Sequence, residues 1–109
     1  MQYSRELLKG NTEALLLSIL AREPRYGYQM VKEIGQISGG YFHFREGTLY
    51  PALHRLENDG LVRGEWQTSP AGMQRRYYHI TEKGRRSLAR LSKEWASFSR
   101  AMNLVVQQS

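Results

Sequence analysis

Cysteine is absent from this 109-residue chain, and proline occurs only three times. The first absence excludes disulfides and thiolate metal sites and fits a reducing compartment. Long apolar runs are missing too. The best, Ala14 to Ala21, contains Ser18 and falls far short of the ~20 residues a membrane helix needs. The N-terminus carries Arg5 and Glu6 without signal-peptide organisation. A cytoplasmic protein with no membrane partner is the expectation. The three histidines, His43, His54 and His79, show no metal-ligand spacing, no serine sits in a nucleophile elbow, and no glycine-rich phosphate loop follows a strand. No enzyme activity, cofactor or metal is expected.

Acidic residues are scarce in one place. Residues 61–109 hold nine Lys/Arg against three Asp/Glu, whereas residues 1–60 hold seven of each, so the whole +6 net charge lies in the second half. A one-sided basic surface draws in polyanions, although a merely solubilising face looks the same in composition. The 40% hydrophobic and 11% aromatic content is that of a globular domain. At this length the core is small, which favours oligomers.

Asn11 or Thr12 can cap a buried helix running to about Ala21, with Leu7 and Leu8 packed nearby. Glu23-Pro24 marks its end. A second helix is predicted from Tyr26-Gly27-Tyr28 to Gly35, with Tyr28, Val31 and Ile34 as its core side and Met30 as a further apolar contact. Gly39-Gly40 breaks the pattern. The third helix covers roughly Glu46 to Asp59. Thr48 as its N-cap would put Pro51 in the first turn, where a missing N–H costs nothing. Leu49, Ala52, Leu53 and Leu56 fall within about 100° of arc, while Gly47, Pro51, His54, Arg55 and Asn58 point away. Gly60 ends the helix.

Leu61–Gln67 and Gln74–Ile80 read as a hairpin around the turn-rich tip Thr68-Ser69-Pro70-Ala71-Gly72. Thr81 caps a last helix whose apolar residues are Leu88, Leu91, Trp95, Phe98, Met102 and Val105. Their alternating spacing of three and four is a heptad stripe about 25 Å long. The fold class is therefore mainly α with a small β-hairpin. It is a winged helix-turn-helix over residues 1–80 followed by a C-terminal dimerisation helix over 81–109. In such a fold the third helix enters the major groove of double-stranded DNA.

Four stretches carry a resemblance: Arg25-Tyr26-Gly27-Tyr28, Gly47-Thr48-Leu49-Tyr50-Pro51-Ala52-Leu53-His54-Arg55-Leu56, Asp59-Gly60-Leu61-Val62, and Tyr78-His79-Ile80-Thr81-Glu82-Lys83-Gly84. Together they resemble the signature of PadR-type transcriptional regulators over nearly the whole chain. Tyr26 stands where many members have histidine. With one helix after the hairpin, the chain resembles the short subfamily. The resemblance implies a dimeric DNA-binding repressor, often released by a small molecule or stress signal. Some short relatives sense drugs, which implies a small aromatic effector.

Among single residues, Thr48, Tyr50, Pro51, His54 and Arg55 are candidates for groove contact. Arg55 can read guanine O6 and N7, hold a phosphate, or bridge to Asp59. Tyr50 can bond a phosphate or cover the core edge. Gln74, Arg75 and Arg76, with Thr68 and Ser69, suit phosphate or minor-groove contact from the wing, or form a charged hairpin edge. Tyr26 is a candidate backbone contact at the start of the second helix, where Tyr28 is expected in the core. Arg45 can steady DNA or satisfy Glu46. The end of the last helix, from Trp95 to Val105, calls for a two-fold partner. There Trp95 is either an interface anchor or the wall of an aromatic ligand slot. The rival readings are a winged-helix module that binds another protein and a nonspecific nucleic-acid-binding protein.

Overall fold

The computed structural model describes residues 11–108. The elements run α1 (Thr12–Leu20), β1 (Arg25–Tyr26), α2 (Gly27–Ile37), α3 (Glu46–Asn58), β2 (Val62–Thr68), β3 (Gln74–Ile80) and α4 (Glu82–Val106). The expected packing of Leu7 and Leu8 lies outside the described residues.

The first three helices form the core because each turns leucine-type side chains inward. Leu16, Leu17 and Leu20 of α1 meet Met30 and Ile34 of α2 and Leu49, Leu53 and Leu56 of α3. Phe44 plugs the connector before α3, and Leu61, Val62 and Tyr78 close the core from the hairpin. Burying each of these large side chains contributes roughly 1.5–3 kcal/mol against exposure.

Helix α2 departs from the expected pattern. Its buried residues are Gly27, Met30 and Ile34, and Tyr28 is 66% exposed rather than part of the core. At 100° per residue Tyr28 lies about 160° from Met30, so both cannot face inward. Nor does Gly35 stop the helix, since a mid-helix glycine costs only about 1 kcal/mol. The helix continues to Ile37 and ends where Gly39 and Gly40 take φ values of 64° and 83°.

Helix α3 begins earlier than its sequence suggests. Arg45, not Thr48, is the N-cap, and its carbonyl accepts from the N–H groups of Thr48 and Leu49, both at 2.9 Å. Pro51 thus sits in the second turn. The carbonyl deprived of a donor there is that of Gly47, which is exposed and open to water. At the other end Gly60, with φ 74°, reverses the chain so that Leu61 N–H reaches the Leu56 carbonyl at 2.9 Å. The strand follows at once.

The three-stranded antiparallel sheet has the order β1-β3-β2. In the hairpin Val62 faces Ile80, Gly64 faces Tyr78 and Trp66 faces Arg76. The two-residue β1, too short to register as a strand in the sequence, pairs Arg25 with Tyr78 and Tyr26 with Tyr77. Thr81 caps α4 as expected, its hydroxyl accepting from Gly84 N–H at 3.0 Å. Leu88 and Leu91, the first two residues of the heptad stripe, are half-buried against this chain's own core. Beyond them α4 projects, drawing the molecule out to 56 × 30 × 21 Å. None of the helices among the described residues is long and apolar enough to cross a membrane.

Candidate nucleic-acid interface

Helix α3 divides into two faces. Leu49, Ala52, Leu53 and Leu56 are buried, while Thr48, Tyr50, Pro51, His54 and Arg55 are exposed on the other side. Arg45, at the helix entrance, is also exposed. Arg55 has no ion pair with Asp59; only its backbone carbonyl is engaged, by the Asp59 N–H at 3.0 Å. Its guanidinium and that of Arg45 make no ion pair among the described residues.

The wing stands beside this face. Tyr26, half-buried in β1, meets Tyr77 edge-on at 5.4 Å, and the Arg75 guanidinium lies 4.4 Å from its ring centroid. Arg76 takes a different course. Its Nη2 donates to Glu57 Oε2 at 2.7 Å, which ties β3 to the end of α3. Tyr26, Tyr50, Trp66, Gln74, Arg75 and Arg76 line one cleft of about 400 Å³ between α2, α3 and the hairpin. Ser69 is turned inward: its hydroxyl accepts from Met73 N–H at 3.1 Å and closes the wing loop. The cleft therefore joins aromatic faces to guanidinium groups, a pairing suited to sugars and phosphates.

Two features of this region escaped the sequence reading. Trp66 is 62% exposed on the wing, and only the register opposite Arg76 assigns it to the cleft. Arg25 is 8% exposed, yet it is charged. Its Nε donates to Glu33 Oε2 at 2.5 Å, its Nη2 to Glu33 Oε1 at 2.8 Å, and its Nη1 to the Glu23 carbonyl at 2.8 Å. The hydrogen bond with Glu33 raises the Arg25 pKa above its ordinary value, against the lowering effect of burial. The same bond holds the Glu33 carboxyl below the usual carboxylate range. This pair fixes β1 on α2 and thereby orients Tyr26. Burial pushes the Tyr78 phenol up, with Arg76 opposing it.

Several cations of α4 serve the protein itself. Lys83 Nζ donates to the Asp59 carbonyl at 2.8 Å, Arg85 reaches the Ala21 carbonyl at 3.5 Å, and Arg90 pairs with Glu94 at 3.1 Å. Further along, Trp95 and Phe98 are 50% and 53% exposed, with rings stacked 5.9 Å apart. Met102 and Val105 continue the exposed stripe, joined by Leu104 and Val106, which the heptad reading left out. A smaller groove of about 170 Å³ runs between α1 and α4 past Leu15, Phe42, Leu91 and Trp95. Among the described residues no group of three His, Asp or Glu could hold a metal ion.

The arrangement is that of a winged helix with an open third helix and an aromatic, guanidinium-lined wing. Residues 16–90 match the model of the Transcriptional regulator PadR-like family, and the chain belongs to that family. It is a DNA-binding transcription regulator. The chain is 37% identical over 84 residues to a transcriptional regulator of Mycobacterium tuberculosis, covering 77% of this chain and 75% of that one. Among solved structures it resembles a PadR-like transcriptional regulator from Bacillus cereus with a TM-score of 0.83 and 32% identity, over 95% of this chain and 99% of that one. A transcriptional regulator from Clostridium thermocellum gives 0.85 and 28%, over 93% and 98%.

Proposed function

We propose that the chain acts as a homodimeric, sequence-specific repressor that binds a pseudo-palindromic operator. In this reading each subunit sets α3 in a major groove. Thr48, Tyr50, Pro51, His54 and Arg55 meet base edges and nearby phosphates. Arg45 and Tyr26 hold the backbone at either side, and Gln74 and Arg75 extend the contact along the wing. The observation that carries this reading is the exposure of Pro51, His54 and Arg55 opposite the buried leucines of α3. Any surface helix turns one face to water; on this one the Arg55 guanidinium makes no ion pair among the described residues and stands beside the aromatic, guanidinium-lined wing.

The exposed stripe from Trp95 to Val105 supports two-fold pairing, because an apolar face of this length is costly in water. Half-site centres then fall about one helical turn apart, on the order of 10 bp, or a multiple of it. A small aromatic effector that enters beside Trp95 would act by favouring a spacing of the two α3 helices unlike the one DNA selects.

Selection of bound fragments from random duplex DNA tests the reading. Enrichment of a two-fold symmetric site supports it. Equal affinity for every duplex, with a steep salt dependence, would mean a nonspecific binder instead.

A further inference from the structure

One carboxylate joins three elements. Glu57, near the end of α3, accepts a hydrogen bond from Arg76 Nη2 of β3 at 2.7 Å and from Gly64 N–H of β2 at 3.2 Å, both on Oε2. A side chain on residue 64 would overlap the Arg76 guanidinium, so glycine at this point leaves the space the guanidinium fills. Behind it the rings of Trp66 and Tyr78 lie 5.7 and 5.8 Å from Arg76 Cζ. The Glu57 and Arg76 side chains are each 32% exposed, which partly shields their attraction from water.

We infer that Glu57 is a positioning residue: through Arg76 and Gly64 it sets the distance and angle between the wing and α3. This rests on the reading of those two elements as the DNA-contacting pair. The charges make the point sharper. A carboxylate beside a DNA surface repels phosphate, so its removal should tighten binding if it had no other role. Arg76, held by Glu57, is then not one of the cations that displace counterions from the duplex. Its service to DNA is indirect, through the stance of the wing and of Trp66.

The test compares wild type, Glu57→Gln, Arg76→Ala and the double variant. Duplex affinity is measured across a salt series. Glu57→Gln and Arg76→Ala should each weaken binding on the order of tenfold, the weight of one charge-assisted hydrogen bond. The double variant should bind no worse than either single one. The slope of log affinity against log salt should stay as in wild type. Tighter binding by Glu57→Gln would overturn the proposal, as would a slope flattened by about 0.9 in Arg76→Ala, the mark of a lost phosphate contact.

A second measurement needs no DNA. With only two tryptophans in the chain, fluorine NMR of 5-fluorotryptophan-labelled protein gives two resonances, assigned by Trp66→Phe. Both single variants should shift the Trp66 signal and leave that of Trp95 in place. An unmoved Trp66 signal would refute the lock. If wild type binds no duplex at all, the DNA reading falls and this arm alone judges the positioning role.

Discussion

The Tyr50 hydroxyl lies so close over Gly27 that a methyl group added to Gly27 would fall 2.6 Å from it. The two residues start neighbouring helices, Gly27 at the head of α2 and Tyr50 in the second turn of α3. Gly27→Ala should therefore expel Tyr50 from its place in the cleft while leaving the leucine core intact. Because Tyr50 is half-exposed and can swing outward, the stability loss should stay below about 1.5 kcal/mol. Duplex affinity should drop to that of Tyr50→Ala, and the double variant should drop no further. Anisotropy titrations paired with thermal melts check this.

Arg55 and Arg75 should separate by the kind of binding they lose. Arg55→Ala should narrow the difference between operator and random duplex by about 1–3 kcal/mol. Arg75→Ala should weaken both duplexes alike and flatten the salt slope by about 0.9. Competition assays at several salt concentrations distinguish the two. Identical behaviour would dissolve the division between base reading from α3 and backbone holding from the wing.

The Arg25–Glu33 pair predicts an acid-sensitive share of stability. Glu33 has a folded-state pKa below its ordinary 4.5. Its contribution is fully present above that ordinary value and is lost as pH falls through the depressed one. Glu33→Gln should cost about 2–3 kcal/mol at neutral pH, less than a fully buried pair, since Glu33 keeps 25% of its side-chain exposure. The gap between variant and wild type should close as pH falls below the carboxylate range. Urea unfolding across pH measures it. A gap that stays constant into acid would remove the linkage.

Trp95→Ala should weaken dimerisation by roughly 2–4 kcal/mol, as for an interface anchor. Leu88→Ala should instead lower the melting temperature, because Leu88 packs on the core of its own chain. Sedimentation equilibrium and calorimetry read the two effects separately. Aromatic cations should quench wild-type tryptophan fluorescence and leave that of Trp95→Ala unchanged, where only Trp66 reports.

The two faces of α3 were legible because 3.6-residue periodicity acts within one helix: Leu49, Ala52, Leu53 and Leu56 declare an inside, and Pro51, His54 and Arg55 an outside. The hairpin was legible from its alternation and its turn-forming tip, and the Thr81 cap from local hydrogen bonding. Tyr28 was misread because a spacing of three fits two overlapping stripes on α2. The neighbours of Met30, not α2 itself, choose between them.

Local rules act over a few residues, and those alone sufficed for the order of the helices, the hairpin and the open edge of α3, though not for the inner face of α2 or the N-cap of α3. Contacts across the chain obey no such rule. Glu57 meets Arg76 over a separation of 19 residues, and Arg25 meets Glu33 over a separation of 8. Nothing in their spacing announces either pair, because ion pairs form wherever packing has already brought charges together. Tertiary structure therefore decided which arginines serve the protein and which remain turned to solvent. It also drew the line on α4 between Leu91, which the core claims, and Trp95, which it leaves uncovered.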